Sequence, residues 1–118
     1  MKKQGEQAIL SLLRRKSTVE ALSWSKANPE MCRYVGELPP AASEKLIQQL
    51  YDLGAIKVFA VEIDRNEKLE SISKLVISLP DDSDRRKRLF KWVSRHHVLQ
   101  GFEGVEDIGQ RHLMIWFD

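Results

Sequence analysis

The chain has 118 residues, of which 42% are hydrophobic and 31% are charged. This length and composition predict one globular domain rather than a disordered segment. The 19 Lys and Arg residues against 17 Asp and Glu residues give a net charge of +2, which excludes a uniformly basic protein of the histone type. The single cysteine, Cys32, excludes an intramolecular disulfide and a zinc site built from several cysteines.

The N-terminus carries no signal for secretion. Met1-Lys2-Lys3 is basic, but no long apolar segment follows it. The longest apolar run is also far shorter than the roughly 20 residues that span a bilayer. A mitochondrial presequence is an alternative for this basic stretch, although Glu6 and Glu20 count against it. We therefore expect a cytoplasmic protein with no membrane partner.

The first 29 residues predict a helical extension. Helical spacing over residues 4–16 places four apolar side chains on one face, namely Ala8, Ile9, Leu12 and Leu13. Ser17 to Glu20 fits a capping box, with Ser17 as the N-cap of a second helix that runs to about Lys26. One continuous helix through Ser17 is the alternative.

Residues 30–118 alternate between strand and helix patterns. Segments rich in β-branched and aromatic residues predict four strands, at 32–38, 56–63, 72–79 and 110–117. Two amphipathic helices are predicted, from a Ser43 cap to Leu53 before Gly54 and from Ser83 to Leu99. The order β-α-β-β-α-β is that of a ferredoxin-like α+β domain, in which two helices cover one face of a four-stranded antiparallel sheet.

The second face of this sheet is too apolar to lie open to water. Alternation along the strands places Val76, Met114 and Trp116 on the face opposite the helices. We take these three residues as a candidate interface. Two covers are open at this point: the N-terminal helices of the same chain, or a second copy that packs sheet to sheet as a homodimer.

One short segment resembles a nucleic-acid-binding family. Arg33-Tyr34-Val35-Gly36-Glu37-Leu38-Pro39 is similar to the first conserved strand motif of the RNA recognition motif family. The resemblance implies that Tyr34 stacks on a base. The family's other motif alternates basic, glycine and aromatic residues on the third strand, whereas residues 71–79 contain neither glycine nor aromatic residue. We therefore do not expect RNA recognition on this sheet.

The helix predicted at 83–99 is strongly basic on one side. Residues 85–102 contain six Lys and Arg residues and no acid. On a helix, Arg88, Lys91 and Arg95 lie opposite the apolar Leu89 and Val93, so they form an exposed stripe that is a candidate contact for phosphate or nucleic acid. No aromatic residue is expected on this face, and a solvated helix surface is the alternative.

The histidines and Cys32 are the remaining candidates for chemistry. His96 and His97 are neighbours on a helix and point about 100° apart, so they do not converge on one metal. His97 falls on the apolar face, where it predicts a packed side chain. An approach of His97 to His112, or of Cys32 to a histidine, is the basis for a small-enzyme alternative. No glycine-rich phosphate loop is present, and we assign no catalytic residue, metal or cofactor.

These observations favour a non-catalytic interaction or regulatory module. We expect it to bind a protein or a small ligand at the sheet face. The alternatives are a nucleic-acid-binding protein that uses the basic helix 85–95, and a small enzyme centred on its histidines. Fold analogy does not decide among these functions.

Overall fold

The computed structural model describes residues 5–117. Within these residues, the helices are α1 (Glu6–Leu13), α2 (Ala21–Lys26), α3 (Pro40–Leu53) and α4 (Ser83–Leu99). The strands are β1 (Val19–Glu20), β2 (Cys32–Val35), β3 (Lys57–Ala60), β4 (Asp64–Arg65), β5 (Leu69–Ile72), β6 (Lys74–Ser78) and β7 (His112–Trp116). None of these helices combines the length and the apolar character required to cross a membrane.

The larger sheet has four antiparallel strands in the order β1-β3-β6-β7, so the α+β class is confirmed. Apolar residues of α3 and α4 pack on one of its faces. The helix residues in this core are Leu46, Ile47, Leu50, Leu89, Phe90 and Val93, and the strand residues include Val58, Leu75, Ile77, Leu113 and Ile115. The predicted alternation along β6 and β7 is confirmed, because Val76 and Met114 belong to a separate cluster on the other face.

The membership of this sheet differs from the prediction. The segment predicted as a strand at 32–38 does not join it; β2 pairs in parallel with β5 in a separate three-stranded sheet, β2-β5-β4. The two-residue β1 is the fourth strand of the larger sheet in its place. Strand β6 pairs directly with β7. This arrangement is not the strand order expected of the ferredoxin-like fold.

The change of partner occurs at Ser73, between β5 and β6. Before it, the Gly36 N–H extends the β2 pairing by donating to the Ile72 carbonyl at 2.7 Å. After it, the Phe117 N–H donates to the Ser73 carbonyl at 2.8 Å and continues the β7 pairing. The stretch predicted as one strand over 72–79 thus belongs to two sheets, which diverge at this residue.

A row of three charged side chains stabilises the smaller sheet. The register places Glu70 of the central strand opposite Arg33 on one side and Arg65 on the other. The Arg33 Nε donates to Glu70 Oε1 at 2.9 Å, and Arg65 pairs with the other carboxylate oxygen. Burial alone would raise the pKa of Glu70, but these two guanidinium groups outweigh it and hold the pKa below its ordinary value.

The start of α2 corrects the predicted capping box. Glu20, not Ser17, is the N-cap, and its carboxylate accepts from the Ser23 N–H at 2.7 Å. The Tyr51 hydroxyl also donates to Glu20 at 2.5 Å and accepts from the Val58 N–H at 3.0 Å. Burial would raise the pKa of Glu20, but these hydrogen bonds lower it to about 2. This network ties α2, α3 and β3 together.

The start of α3 also differs from the prediction. The helix begins at Pro40, because the fixed φ of proline suits the first helical position and its missing N–H is not needed there. Ser43 is therefore inside the helix rather than at its cap. Its buried hydroxyl accepts from the Val35 N–H at 2.8 Å and donates to the Leu38 carbonyl at 3.0 Å.

Helix α1 covers the second face of the larger sheet. Ile9 and Leu12 are buried against Val76 and Met114, which are 0% and 8% exposed. Of the two covers that the sequence left open, the structure has the one supplied by the same chain. A homodimer through Val76 and Met114 would require α1 to leave this position.

Candidate functional site

A cavity of about 590 Å³ lies where the end of α4, the end of β7 and the strand break at Ser73 meet. Three of its walls are aromatic. The lining residues are Ser73, Gly101, Phe102, Glu103, Trp116 and Phe117. We refer to this cavity as the aromatic pocket.

The first wall is formed because α4 ends in a Schellman motif. Gly101 adopts φ 88°, a left-handed conformation that glycine accepts without strain. The Gly101 N–H donates to the Val98 carbonyl at 3.0 Å, and the Phe102 N–H donates to the His97 carbonyl at 2.8 Å. These two bonds turn the chain back, so the Phe102 ring contacts the His97 ring edge to face at 6.0 Å.

The second wall is the end of β7. The Trp116 ring lies 5.3 Å from the His97 ring and 6.4 Å from the Phe102 ring, at 56° to the latter. Phe117 points to the other side of the strand, is 7% exposed and meets His96 edge to face at 5.0 Å. The pocket therefore has two converging rings at its mouth and a third that is anchored in the core.

Side chains of α4 fix the backbone of this strand end. The strand β7 is at the edge of its sheet, and the Trp116 N–H donates to His97 Nε2 at 3.0 Å. The Gln100 side-chain amide donates to the Trp116 carbonyl at 2.9 Å. A strand end that is held on both its N–H and its C=O presents the Trp116 ring in a defined position.

His97 serves this wall as a neutral side chain. It is fully buried, and burial together with the nearby His96 lowers its pKa to about 4, against a smaller opposing effect of the Glu103 backbone. Its Nε2 accepts a hydrogen bond from the Trp116 N–H, so Nδ1 carries the ring proton. Within residues 5–117, this Nδ1 is buried and has no hydrogen bond of normal geometry.

Glu103 gives the pocket its charge. It is exposed and is the one ionisable residue among the lining residues described. A more polar groove of about 650 Å³ adjoins the pocket and shares Ser73 and Phe117 with it. Lys74, the basic residue that follows Ser73 in the sequence, lines that groove. Its Nζ lies 2.7 Å from Glu62 Oε1, so the two side chains form an ion pair.

Comparisons of this chain with protein-family models, with curated proteins and with solved structures give no significant match. The function is therefore argued from the chemistry of the site.

The structure separates the three residues of the predicted interface. Val76 and Met114 lie under α1, as described above, and only Trp116 lines a cavity. Trp116 is partly exposed and also packs at the margin of the α1 contact. The predicted interface thus contributes one residue to the aromatic pocket.

The basic stripe is found as predicted on the exposed face of α4. Arg88, Lys91 and Arg95 are all exposed and surround a shallow cavity of about 220 Å³. The expectation that no aromatic residue accompanies them is wrong, because Trp92 lines the same cavity. Leu53 of α3 also lines this cavity, and the spacing of residues along α4 alone does not reveal a contact with another helix.

The histidines and Cys32 do not form one cluster. His97 packs with Trp116 and Phe102, as described, whereas His96 stacks on Trp92 at 5.3 Å. The Nδ1 of His112 lies 3.8 Å from Glu6, and Cys32 is exposed on β2. Within residues 5–117, no three His, Cys, Asp or Glu side chains are grouped so that they could hold a metal ion.

Proposed function

We propose that this protein is a non-catalytic binding module that holds a small ligand in the aromatic pocket. The observation that carries the proposal is a cavity of about 590 Å³ walled by Phe102, Trp116 and Phe117, with one acidic residue, Glu103, in its lining. Ligand pockets typically measure about 300–1,000 Å³ and combine apolar walls with few polar groups. The pocket fits both criteria.

The arrangement supports binding that needs little rearrangement. Phe102 is positioned by the backbone bonds that end α4, and the Trp116 backbone is held by His97 and Gln100. A wall ordered before the ligand arrives reduces the entropy lost on binding. A ligand that buries the aromatic rings removes water from their surfaces, and this burial supplies affinity. The polar groups of Glu103 and Ser73 then select among apolar ligands by the polar groups that those ligands carry.

The chemistry of His97 supports binding rather than catalysis. A general base needs a free nitrogen within reach of its substrate. The acceptor nitrogen of His97 is already used by the Trp116 N–H at 3.0 Å, and the ring is fully buried. His97 acts here as part of the support for the Trp116 wall.

The test is a fragment titration followed by ¹H–¹⁵N NMR. The panel contains small aromatic, aliphatic and charged compounds of fewer than about ten heavy atoms. We expect concentration-dependent shifts centred on the amides of Phe102, Trp116 and Phe117. Phe102→Ala should remove these shifts because it removes one wall. Ile108→Ala is the matched control, since Ile108 is a 52% exposed apolar residue of the same loop that does not line the pocket.

A panel that shifts no resonance around the pocket would overturn the proposal. The same holds if Phe102→Ala and Ile108→Ala affect binding equally, because the shifts would then come from a general apolar surface. The two substitutions keep the net charge, so electrostatic differences do not enter the comparison.

A second candidate function is nucleic-acid binding by the basic face of α4. The observation that favours it is Trp92, which lies among Arg88, Lys91 and Arg95. Base stacking on an aromatic ring beside phosphate-binding cations is a common way to hold single strands. Trp92 is partly buried against the core and stacks on His96, so a base would meet the part of its ring that stays exposed.

A single-stranded oligonucleotide tests this candidate by fluorescence anisotropy at several salt concentrations. Three phosphate contacts predict a slope of log affinity against log salt of about −2. Arg88→Glu with Lys91→Glu should abolish binding. Lys45→Glu with Lys68→Glu is the control of equal charge change, at exposed lysines elsewhere in the chain. Binding that is absent, or that both double variants reduce alike, would contradict a site on α4.

A further inference from the structure

The aromatic pocket has a consistently negative electrostatic character. The faces of aromatic rings carry negative charge density, and Phe102 and Trp116 converge at its mouth. Glu103 is the one acidic residue among the lining residues described, and no basic residue is among them. His97, directly behind both rings, is neutral at physiological pH because burial lowers its pKa to about 4.

The geometry of the rings suits a cation that has apolar substituents. Phe102 and Trp116 are 6.4 Å apart at 56°, so they are adjacent walls rather than a closed stack. A cation is attracted to a ring face when it lies within about 6 Å of the centroid. One group can therefore contact both rings while Glu103 supplies the counter-charge.

We propose that the aromatic pocket binds a small organic cation through a methylated ammonium group. This proposal rests on the proposed function and names the class of its ligand. Methyl groups spread the positive charge and weaken the hydration of the ammonium, so it enters an aromatic site at lower cost than a bare ammonium. Aromatic walls with one carboxylate are complementary to such a group in both shape and charge.

The test compares choline with 3,3-dimethylbutan-1-ol, its neutral carbon isostere, in NMR titrations of the intact chain. We expect choline to bind about 3- to 30-fold more tightly, which is the range of a cation–π contact. Glu103→Gln keeps the shape of the side chain and removes its charge, so it should weaken choline and leave the alcohol unchanged. Glu106→Gln is the matched control, because Glu106 is an exposed carboxylate of the same loop outside the pocket lining.

Phe102→Leu is the second variant. It retains an apolar side chain in an exposed loop position but removes the π face. We expect it to weaken choline by about 3-fold or more and to affect the alcohol less.

The outcomes separate the ligand class from the function. If the alcohol binds at the pocket as tightly as choline, and Glu103→Gln changes neither, the cation class is overturned and the binding pocket stands. If neither compound nor any fragment of the panel binds at Phe102 and Trp116, both proposals fail. Equal weakening of choline by Glu103→Gln and Glu106→Gln would show a general charge effect and would also overturn the cation class.

Discussion

Replacing Glu70 by leucine is expected to reduce the free energy of unfolding by about 3–5 kcal/mol, the usual cost of breaking a buried ion pair. Glu70 is 4% exposed and Arg33 is 8% exposed, so the guanidinium of Arg33 would stay buried without its counter-charge. Leucine fills most of the vacated volume, so the loss reports the unpaired charge rather than a cavity. Chemical denaturation followed by circular dichroism measures it.

Arg65→Ala is the matched control for this prediction. Arg65 pairs with the same carboxylate, but its side chain is 65% exposed. Ion pairs that water screens contribute no more than about 1 kcal/mol. We expect Arg65→Ala to lie in that range, and similar losses for Arg65→Ala and Glu70→Leu would contradict the assigned role of burial.

The double variant Arg33→Met with Glu70→Leu isolates the pair itself. It removes both charges, so it should recover part of the loss of Glu70→Leu. Recovery should be incomplete, because Arg33 also donates to the carbonyls of Ala27 and Asn28 after α2, the latter at 3.1 Å. Arg33 thus joins the smaller sheet to the segment after α2. These bonds to the backbone do not involve the Glu70 carboxylate, so the double variant loses them as well.

This row of charges also explains why the pattern of apolar residues does not predict the smaller sheet. Strand predictions depend on alternating apolar residues, and residues 68–71 read Lys-Leu-Glu-Ser. Glu70 is buried only because Arg33, 37 positions earlier, lies opposite it. A hydrophobicity pattern holds no information on such a pair. The pattern therefore predicts no strand over Leu69–Ile72, and it places 32–38 in the larger sheet although β2 pairs with β5.

The sequence predicts the bounds of a helix correctly where the deciding interactions lie within the helix itself. The acids before α4 and its apolar residues predict a helix over Ser83–Leu99, and the structure has these bounds with Asp82 as N-cap. Leu89, Val93 and His97 are buried as expected. For α2, the N-cap is Glu20 and not the predicted Ser17, and Tyr51 of a distant helix donates to the Glu20 carboxylate. Sequence spacing alone does not reveal that donor.

The candidate site was only partly visible in the sequence. Strand alternation identifies Trp116 as a residue of the second sheet face. Phe102 and Glu103 were missed because they lie in a loop, where no periodicity applies. The available signal was a phenylalanine directly after the glycine that ends α4. In a Schellman motif that residue folds back on the last turn, which is where Phe102 lies.

Lowering the pH from 7 to 5 is expected to reduce the free energy of unfolding by about 2 kcal/mol through His97 alone. The folded state lowers the pKa of His97 from 6.5 to about 4, so the unfolded chain binds the proton more readily. Stability from this group is therefore fully present above pH 6.5 and is lost progressively as the pH falls to 4. Denaturation curves at several pH values measure the slope.

His97→Gln is expected to flatten this slope. A glutamine oxygen can take the place of Nε2 as acceptor for the Trp116 N–H, and it does not titrate between pH 5 and 7. The carboxylates with lowered pKa, such as Glu20 and Glu70, lose their contribution mainly below pH 4.5 and leave this window clear. A wild-type slope retained in His97→Gln would contradict the assignment.

The neighbouring histidine provides the comparison. Burial also lowers the pKa of His96, but this ring is only partly buried, so His96→Gln should remove a smaller part of the slope. Protonation of His97 would place a charge behind Phe102 and Trp116 and would take away the acceptor of the Trp116 N–H. Fragment binding in the aromatic pocket should therefore persist in the wild type from pH 7 to 5 and weaken as the pH approaches 4, where folded His97 takes up its proton, and it should weaken much less in His97→Gln. That difference would link the buried ring to the order of the pocket wall.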